Sequence, residues 1–162
     1  GGDLLQGSSV VAAEKTGDIC GKVQVKTAGK TREIEGKSYI LAAGRKGGQG
    51  IALLGEGAAD EKHGLLKVSL KEADSSDQIC PAISGEAAEH SSTGIKVNKQ
   101  LQPIDNEGKI LLANVFCAGS VLAGYDPFSE GSGGGVAIAT GYRAAVLAAK
   151  GVKGQKRQSN QQ

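Results

Sequence analysis

After proline, glycine is the poorest helix former, by about 1 kcal/mol per residue against alanine. Yet Gly131, Gly133, Gly134 and Gly135 run directly into "VAIATGYRAAVLAA", a small and apolar stretch that predicts a helix from about 133 to 150. Upstream, Val115-Phe116-Cys117-Ala118 is apolar on both faces and ends at Gly119, the pattern of a strand buried in a parallel sheet. A buried strand, a loop and a helix opened on bare backbone is the layout of a ligand site in an α/β fold, beyond the carboxyl ends of the strands. The first turn of such a helix has unpaired N–H groups and carries about half a positive charge. With no Cβ on Gly133, Gly134 and Gly135, a planar ring, a carbonyl or a phosphate can reach that backbone. Ser132 stands at the N-cap position. The same glycines would also suit a helix packed tightly on a sheet, and the residues alone leave both readings open. Neither a Walker lysine nor a GxGxxG after a strand is present to decide between them.

Residues 8 to 43 predict β structure. "SSVVAAEK" reads as a short strand and Gly17-Asp18 as a turn. In "ICGKVQVKT" the period is two, so Ile19, Val23 and Val25 belong on one face and Cys20, Lys22, Gln24 and Lys26 on the wet one. Ala28-Gly29-Lys30 turns the chain into "TREIE", and Gly36-Lys37 turns it again, which makes an antiparallel meander over about 8 to 36. "YILAAG" breaks the alternation and predicts a second buried parallel strand at 38–43, in one sheet with the strand at 114–118.

The pattern weakens from 45 to 94. Residues 45–50 read as a linker, and residues 51–93 offer only "LLKVSL" as a strand. "GIKVNKQLQPID" resumes an alternating strand, Asn106-Glu107-Gly108 makes a turn, and the basic, polar stretch after residue 150 reads as a solvated tail. The opening "GGDLLQG" reads as the last turn of a helix leaving through glycine.

Composition narrows the class. The chain has 162 residues and a formal net charge of +2, which implies no broad nucleic-acid or membrane footprint. Phe116, Phe128, Tyr39, Tyr125 and Tyr142 are all the aromatics, so the core must be built from Val, Ile, Leu and Ala. Cys20, Cys80 and Cys117 are far apart, odd in number and without a CxxC, which argues against zinc or iron–sulfur ligation and for reduced thiols in a cytosolic protein. The longest apolar segment, 136 to 149, is too short to span a bilayer and carries Arg143. His63 and His90 sit in the unpatterned middle, Asp126 and Glu130 flank the glycine loop, and Arg143 lies on the helix. Each has a bland alternative as a solvated, capping or ion-paired group, so no catalytic residue is assigned.

The run "NVFCAGSVLAGYDPFSEGSGGGVAIATGYRAA", residues 114 to 145, resembles the carboxyl-terminal segment of the family formed by the B subunits of anaerobic glycerol-3-phosphate dehydrogenases. That family lies within the flavoproteins related to the fumarate reductase flavoprotein. The meander ending in "YILAAGR" also resembles the flavin-domain element that closes on an Ala-Thr-Gly turn; here Ala43 replaces the threonine and Gly44 is the matching backbone contact. Where many such proteins have an acidic residue after the Ala-Gly of the later strand, this chain has Ser120. The dinucleotide fingerprint that precedes the meander in such flavoproteins has no counterpart here, so the expectation is the carboxyl-terminal part of a protein more than twice as long.

The resemblance implies a partial FAD/NAD(P)-binding-type α/β fold, with α+β character where the meander joins it. Its divisions would be 1–50 as meander and Ala-Ala-Gly turn, 51–93 as an insert, 94–150 as the closing flavin-domain segment and 151–162 as tail. It implies FMN or FAD as cofactor, bound by Ala43, Gly44, Gly119, Ser120, Ser132, Gly133, Gly134 and Gly135, and no metal. It further implies oxidation of sn-glycerol 3-phosphate to dihydroxyacetone phosphate, with the piece inactive alone. Expected partners are a catalytic flavoprotein of the same dehydrogenase, an iron–sulfur protein that anchors it to the membrane and a small-molecule substrate, but no nucleic acid. The expected location is cytoplasmic, or peripheral at the inner face of the cell membrane through those partners. The competing class is a non-catalytic nucleotide-binding or protein-interaction module that shares only the glycine-rich helix N-terminus.

Overall fold

The computed structural model describes residues 2–44, 94–105, 107–125 and 130–159, with side chains up to residue 151. Strands β1 (Ser8–Thr16), β2 (Ile19–Thr27) and β3 (Lys30–Glu35) form the expected antiparallel meander in the order β1-β2-β3. The β2–β3 turn has two residues, Ala28 and Gly29, both with positive φ (47° and 80°). That conformation matches the right-handed twist of the flanking strands.

Two bulges reshape the meander. Val11 is extra in β1, since Val10 pairs with Val25 and Ala12 with Gln24. Gly21 is extra in β2, since Glu14 pairs with Lys22 and Lys15 with Cys20. A one-residue bulge reverses the faces of everything beyond it. Cys20 is therefore buried with Val25, while Ile19 is 39% exposed. This corrects the simple alternation, which puts Ile19 inside and Cys20 outside.

Strands β4 (Tyr39–Leu41) and β5 (Val115–Cys117) are shorter than expected but pair as expected, parallel, in the register Tyr39↔Val115, Ile40↔Phe116 and Leu41↔Cys117. Helix α1 (Gly133–Ser159) lies on one face of this pair, where Phe116, Ala118 and Leu101 meet Ala144, Leu147 and Ala148. The meander lies on the other face, where Cys20 packs with Leu112 and Val115, bordered by Val23, Tyr39 and Leu41. Strand β5 is thus the middle of three layers, apolar and buried on both sides. Strand β4 is not the buried strand expected: Ile40 is 45% exposed, because the layers that cover β5 leave that part of β4 open. A mixed α/β fold of the partial FAD-binding type is what the residues build.

Asn114 welds meander to sheet. Its side-chain amide donates to the Cys20 carbonyl and accepts from the Cys20 N–H, both at 2.8 Å, and it also donates to the Lys37 carbonyl at 3.3 Å. Strand β3 pairs with β2 only as far as Glu35↔Lys22. Beyond that point Asn114 supplies Cys20 with the partners a further strand would give, as buried backbone requires.

Three other expectations are corrected. Residues 2–5 form no helix, and Leu4 is 84% exposed; a single turn gains too little to cover the cost of helix nucleation. The run beginning at Gly94 makes isolated bridges, Ile95↔Leu122 and Val97↔Pro103, in place of a strand. Asn98 breaks it, because its side-chain oxygen takes the N–H groups of Gln100 and Gln102 and turns the chain through Leu101 at φ +62°. At the far end, α1 continues to Ser159, through residues expected to be tail. Lys, Gln and Arg are good helix formers, and basic side chains suit the negative end of the helix dipole. The expected turn near 106 is present: the Asp105 carboxylate accepts from the N–H groups of Glu107 and Lys109, and Gly108 has φ +83°. The linker 45–50, the strand "LLKVSL", His63, His90, Cys80 and Asp126 lie outside the described residues. Among those described, no helix is long and apolar enough to cross a membrane.

Candidate functional site

Parallel pairing puts the two strand-end turns side by side. The Ala118 N–H donates to the Leu41 carbonyl at 3.0 Å, so Ala43-Gly44 and Gly119-Ser120 continue from the same ends of neighbouring strands. Both glycines have positive φ, 82° at Gly44 and 74° at Gly119, the left-handed region that favours glycine. After β5 the chain makes a single 3-10 turn, Gly119–Val121. That turn is clamped from behind: Ile95 N–H donates to the Val121 carbonyl at 2.8 Å, and Ala123 N–H to the Ile95 carbonyl at 3.0 Å. A Cβ on Gly94 would lie 2.5 Å from the Leu122 carbonyl carbon, so glycine is required there for the two backbones to meet. Gly94 was missed by sequence reasoning; its signal was a glycine heading a strand-like run, which marks close backbone approach.

Helix α1 begins beside this turn. The Val136 N–H donates to the Ser132 carbonyl at 2.9 Å, so Ser132 holds the N-cap position. Its hydroxyl donates to the Glu130 carboxylate at 3.0 Å. No acidic residue stands within the first turn itself, and the carboxylate at this positive end of the helix dipole is that of Glu130, held on the N-cap hydroxyl. A Cβ at Gly134 or Gly135 would meet nothing within 4 Å, and both residues are exposed. Close packing among the described residues therefore does not call for these two glycines. They present open backbone.

A second residue missed by sequence reasoning joins helix to turn. The Thr140 hydroxyl accepts from the Gly119 N–H at 2.8 Å and donates to the Val136 carbonyl one turn back. Ala137 lies 4.0 Å from where a Gly119 Cβ would stand. The structure thus brings together Ala43, Gly44, Gly119 and Ser120 at the sheet end, with Ser132 and Gly133 to Gly135 on the first turn of the helix that packs against Gly119. Arg143 is directed elsewhere, to the Lys99 carbonyl at 2.8 Å. Cys117, behind the site, is fully buried, and desolvation pushes its thiol up to about 12. It stays protonated, and a protonated buried thiol is inert. No group of three His, Cys, Asp or Glu residues among those described could hold a metal.

Residues 22–136 match the model of a family described as "FAD binding domain". The chain belongs to this family of FAD-binding domains. The match takes in the second half of the meander (from Lys22 in β2 through β3), both parallel strands, both glycine turns and the first turn of α1. Curated relatives agree with the resemblance seen at 114–145. The chain is 33% identical over 157 residues to the B subunit of the anaerobic glycerol-3-phosphate dehydrogenase of Vibrio vulnificus (strain CMCP6), a match that covers 94% of this chain and 34% of that protein. It is 30% identical over 150 residues to a probable B subunit of the same enzyme from Halobacterium salinarum (strain ATCC 29341 / DSM 671 / R1), covering 90% and 34% respectively. It is 29% identical over 144 residues to the corresponding B subunit of Vibrio cholerae serotype O1 (strain M66-2), covering 89% and 32%. The chain spans about a third of the length of these relatives. No solved structure matches it.

The donor set suits the cofactor of such a domain. FAD presents a planar ring edged with carbonyls and a doubly negative pyrophosphate. Backbone N–H groups without side chains, at the positive end of a helix, are complementary to either.

Proposed function

We propose that this chain forms one wall of the FAD site in a flavin-dependent oxidoreductase, of the type represented by the B subunits of anaerobic glycerol-3-phosphate dehydrogenases. The observation that carries the reading is the open, Cβ-free start of α1 at the carboxyl ends of two parallel strands, within an FAD-binding domain. Gly133, Gly134 and Gly135 lie against the cofactor, with Ser132 setting the first turn. Gly119 and Ser120 form the edge of the site at the end of β5, and Ala43 and Gly44 form it at the end of β4. Bound FAD supplies the two-electron chemistry; the chain supplies position and field. The positive end of α1 favours negative charge on the part of the cofactor it touches. The neutral Cys117 thiol keeps a competing redox group out of the wall.

The names of the relatives support glycerol 3-phosphate as the compound dehydrogenated; we take it as sn-glycerol 3-phosphate, with dihydroxyacetone phosphate as product. Each of those relatives is named as one subunit of its dehydrogenase, which supports assembly of this chain with other proteins. For these we propose a catalytic flavoprotein and an iron–sulfur protein that holds the complex at the inner face of the membrane. The test is Gly134→Val in the full-length protein. A valine there gains helix propensity, and its Cβ meets no atom of the described residues within 4 Å, so the fold should be kept. The flavin-to-protein absorbance ratio should fall while circular dichroism stays that of the parent. An unchanged ratio in a folded variant refutes contact between this turn and the cofactor. Substrate identity is tested separately, by reduction of the bound flavin with sn-glycerol 3-phosphate in the assembled complex.

A further inference from the structure

The two walls of the proposed site come from separate elements. One is the turn that closes β5 and the other is the first turn of α1. Apolar contact brings them close, with Val136 packed against the cluster of Cys117 and Val121, but contact of this kind sets distance better than register. A hydrogen bond is directional and sets both. The Gly119 N–H has no strand partner at its positive-φ turn. It donates across the gap to the Thr140 hydroxyl at 2.8 Å, and the Thr140 hydroxyl hydrogen goes to the Val136 carbonyl four residues back. That back-bond fixes the rotor and turns an oxygen lone pair toward Gly119. Val136 directly follows Gly133, Gly134 and Gly135. One side chain therefore ties the amide plane entering the β5 turn to the helical turn that carries the open glycines.

From this geometry we infer that Thr140 is the positioning residue of the cofactor site: its hydroxyl holds the start of α1 in register with Gly119. The inference rests on the flavin reading above. Thr140 is not a ligand in this arrangement, because its proton and its facing lone pair are both committed within the chain. It acts through the backbone it aligns. Valine has nearly the same shape but can make neither bond, and it leaves the part-buried Gly119 N–H without its partner. Serine restores the hydroxyl.

The experiment uses the full-length protein as parent, Thr140→Val and Thr140→Ser. Each is stripped of flavin, titrated with FAD, and examined by visible absorption of the bound flavin and by circular dichroism. Thr140→Val should keep the parent's circular dichroism, bind FAD about tenfold more weakly, the effect of losing one well-placed hydrogen bond, and shift the flavin bands toward those of free FAD. Thr140→Ser should recover both affinity and band positions, which a purely space-filling role would not predict. A folded Thr140→Val protein with the parent's affinity and spectrum overturns the inference and leaves the flavin reading intact. A parent that takes up no FAD refutes the flavin reading, and this inference with it. Should Thr140→Val not fold, Thr140→Ala is compared with Thr140→Ser, and equal FAD affinity in that pair overturns the inference in the same way.

Discussion

Asn114 offers the sharpest test of how the site's sheet is held. Its amide makes two 2.8 Å bonds to the backbone of Cys20 and a longer one to Lys37, and the residue is only 7% exposed. Substitution Asn114→Ala removes the partner of a buried N–H and that of a buried carbonyl. An orphaned buried group costs about 1–3 kcal/mol, and a carbonyl, with two lone pairs, falls toward the lower end. The expected loss is therefore about 2–4 kcal/mol, a large share of the roughly 5–15 kcal/mol that separates folded from unfolded states. Urea denaturation followed by circular dichroism reads it as a lowered midpoint at unchanged slope. A loss below about 1 kcal/mol would refute the view that this bracket joins meander to sheet. Asn114→Asp refines the argument. It keeps the acceptor for the Cys20 N–H but turns an acceptor-only carboxylate on the carbonyls of Cys20 and Lys37. Its folded pKa is thereby raised above the unfolded value of about 3.9. The variant's stability should come closest to the parent's below that unfolded value and be lost as pH rises through the folded pKa. Equal destabilisation at acid and neutral pH would contradict this.

Two further outcomes follow from the packing behind the site. Gly94→Ala places a methyl 2.5 Å from the Leu122 carbonyl carbon and 2.6 Å from the Ala123 nitrogen; the backbone must shift, at about 1–3 kcal/mol, and both thermal melting and the flavin-to-protein ratio of the full-length protein should fall. Cys117 should resist iodoacetamide at pH 8 in the folded protein and react in urea, as read from the mass of its peptide, because burial pushes its thiol up to about 12. Its folded pKa is raised, so its contribution to stability is complete below the unfolded value near 9.0 and is lost as pH climbs toward about 12. Ready labelling of Cys117 in the folded state would show that β5 is not the covered middle layer.

What could be read from the sequence alone was whatever depends on neighbours in the chain. Short runs apolar on both faces are the pattern of parallel strands, so "YIL" and "VFC" could be placed in one sheet from the sequence. Only the packing decided that β5 is covered on both faces and that Ile40 of β4 stays 45% exposed. The β2–β3 turn at Ala28-Gly29 and the glycine-led start of α1 are equally local, since they express what backbone without a side chain can do. The candidate site was legible for the same reason: it is built from strand ends and a helix start, which the local pattern locates. The tertiary structure decided what depends on residues far apart. The Gly21 bulge exists because β1 offers one residue opposite two of β2, and it reverses which of Ile19 and Cys20 is buried; a period-two count on β2 alone cannot register it. Asn114 and Cys20 are 94 positions apart, and Thr140 and Gly119 are 21 apart. Nothing beside an asparagine or a threonine in the chain announces which distant backbone group it will satisfy. That partner is set only once the layers have packed and a buried N–H has been left needing an acceptor.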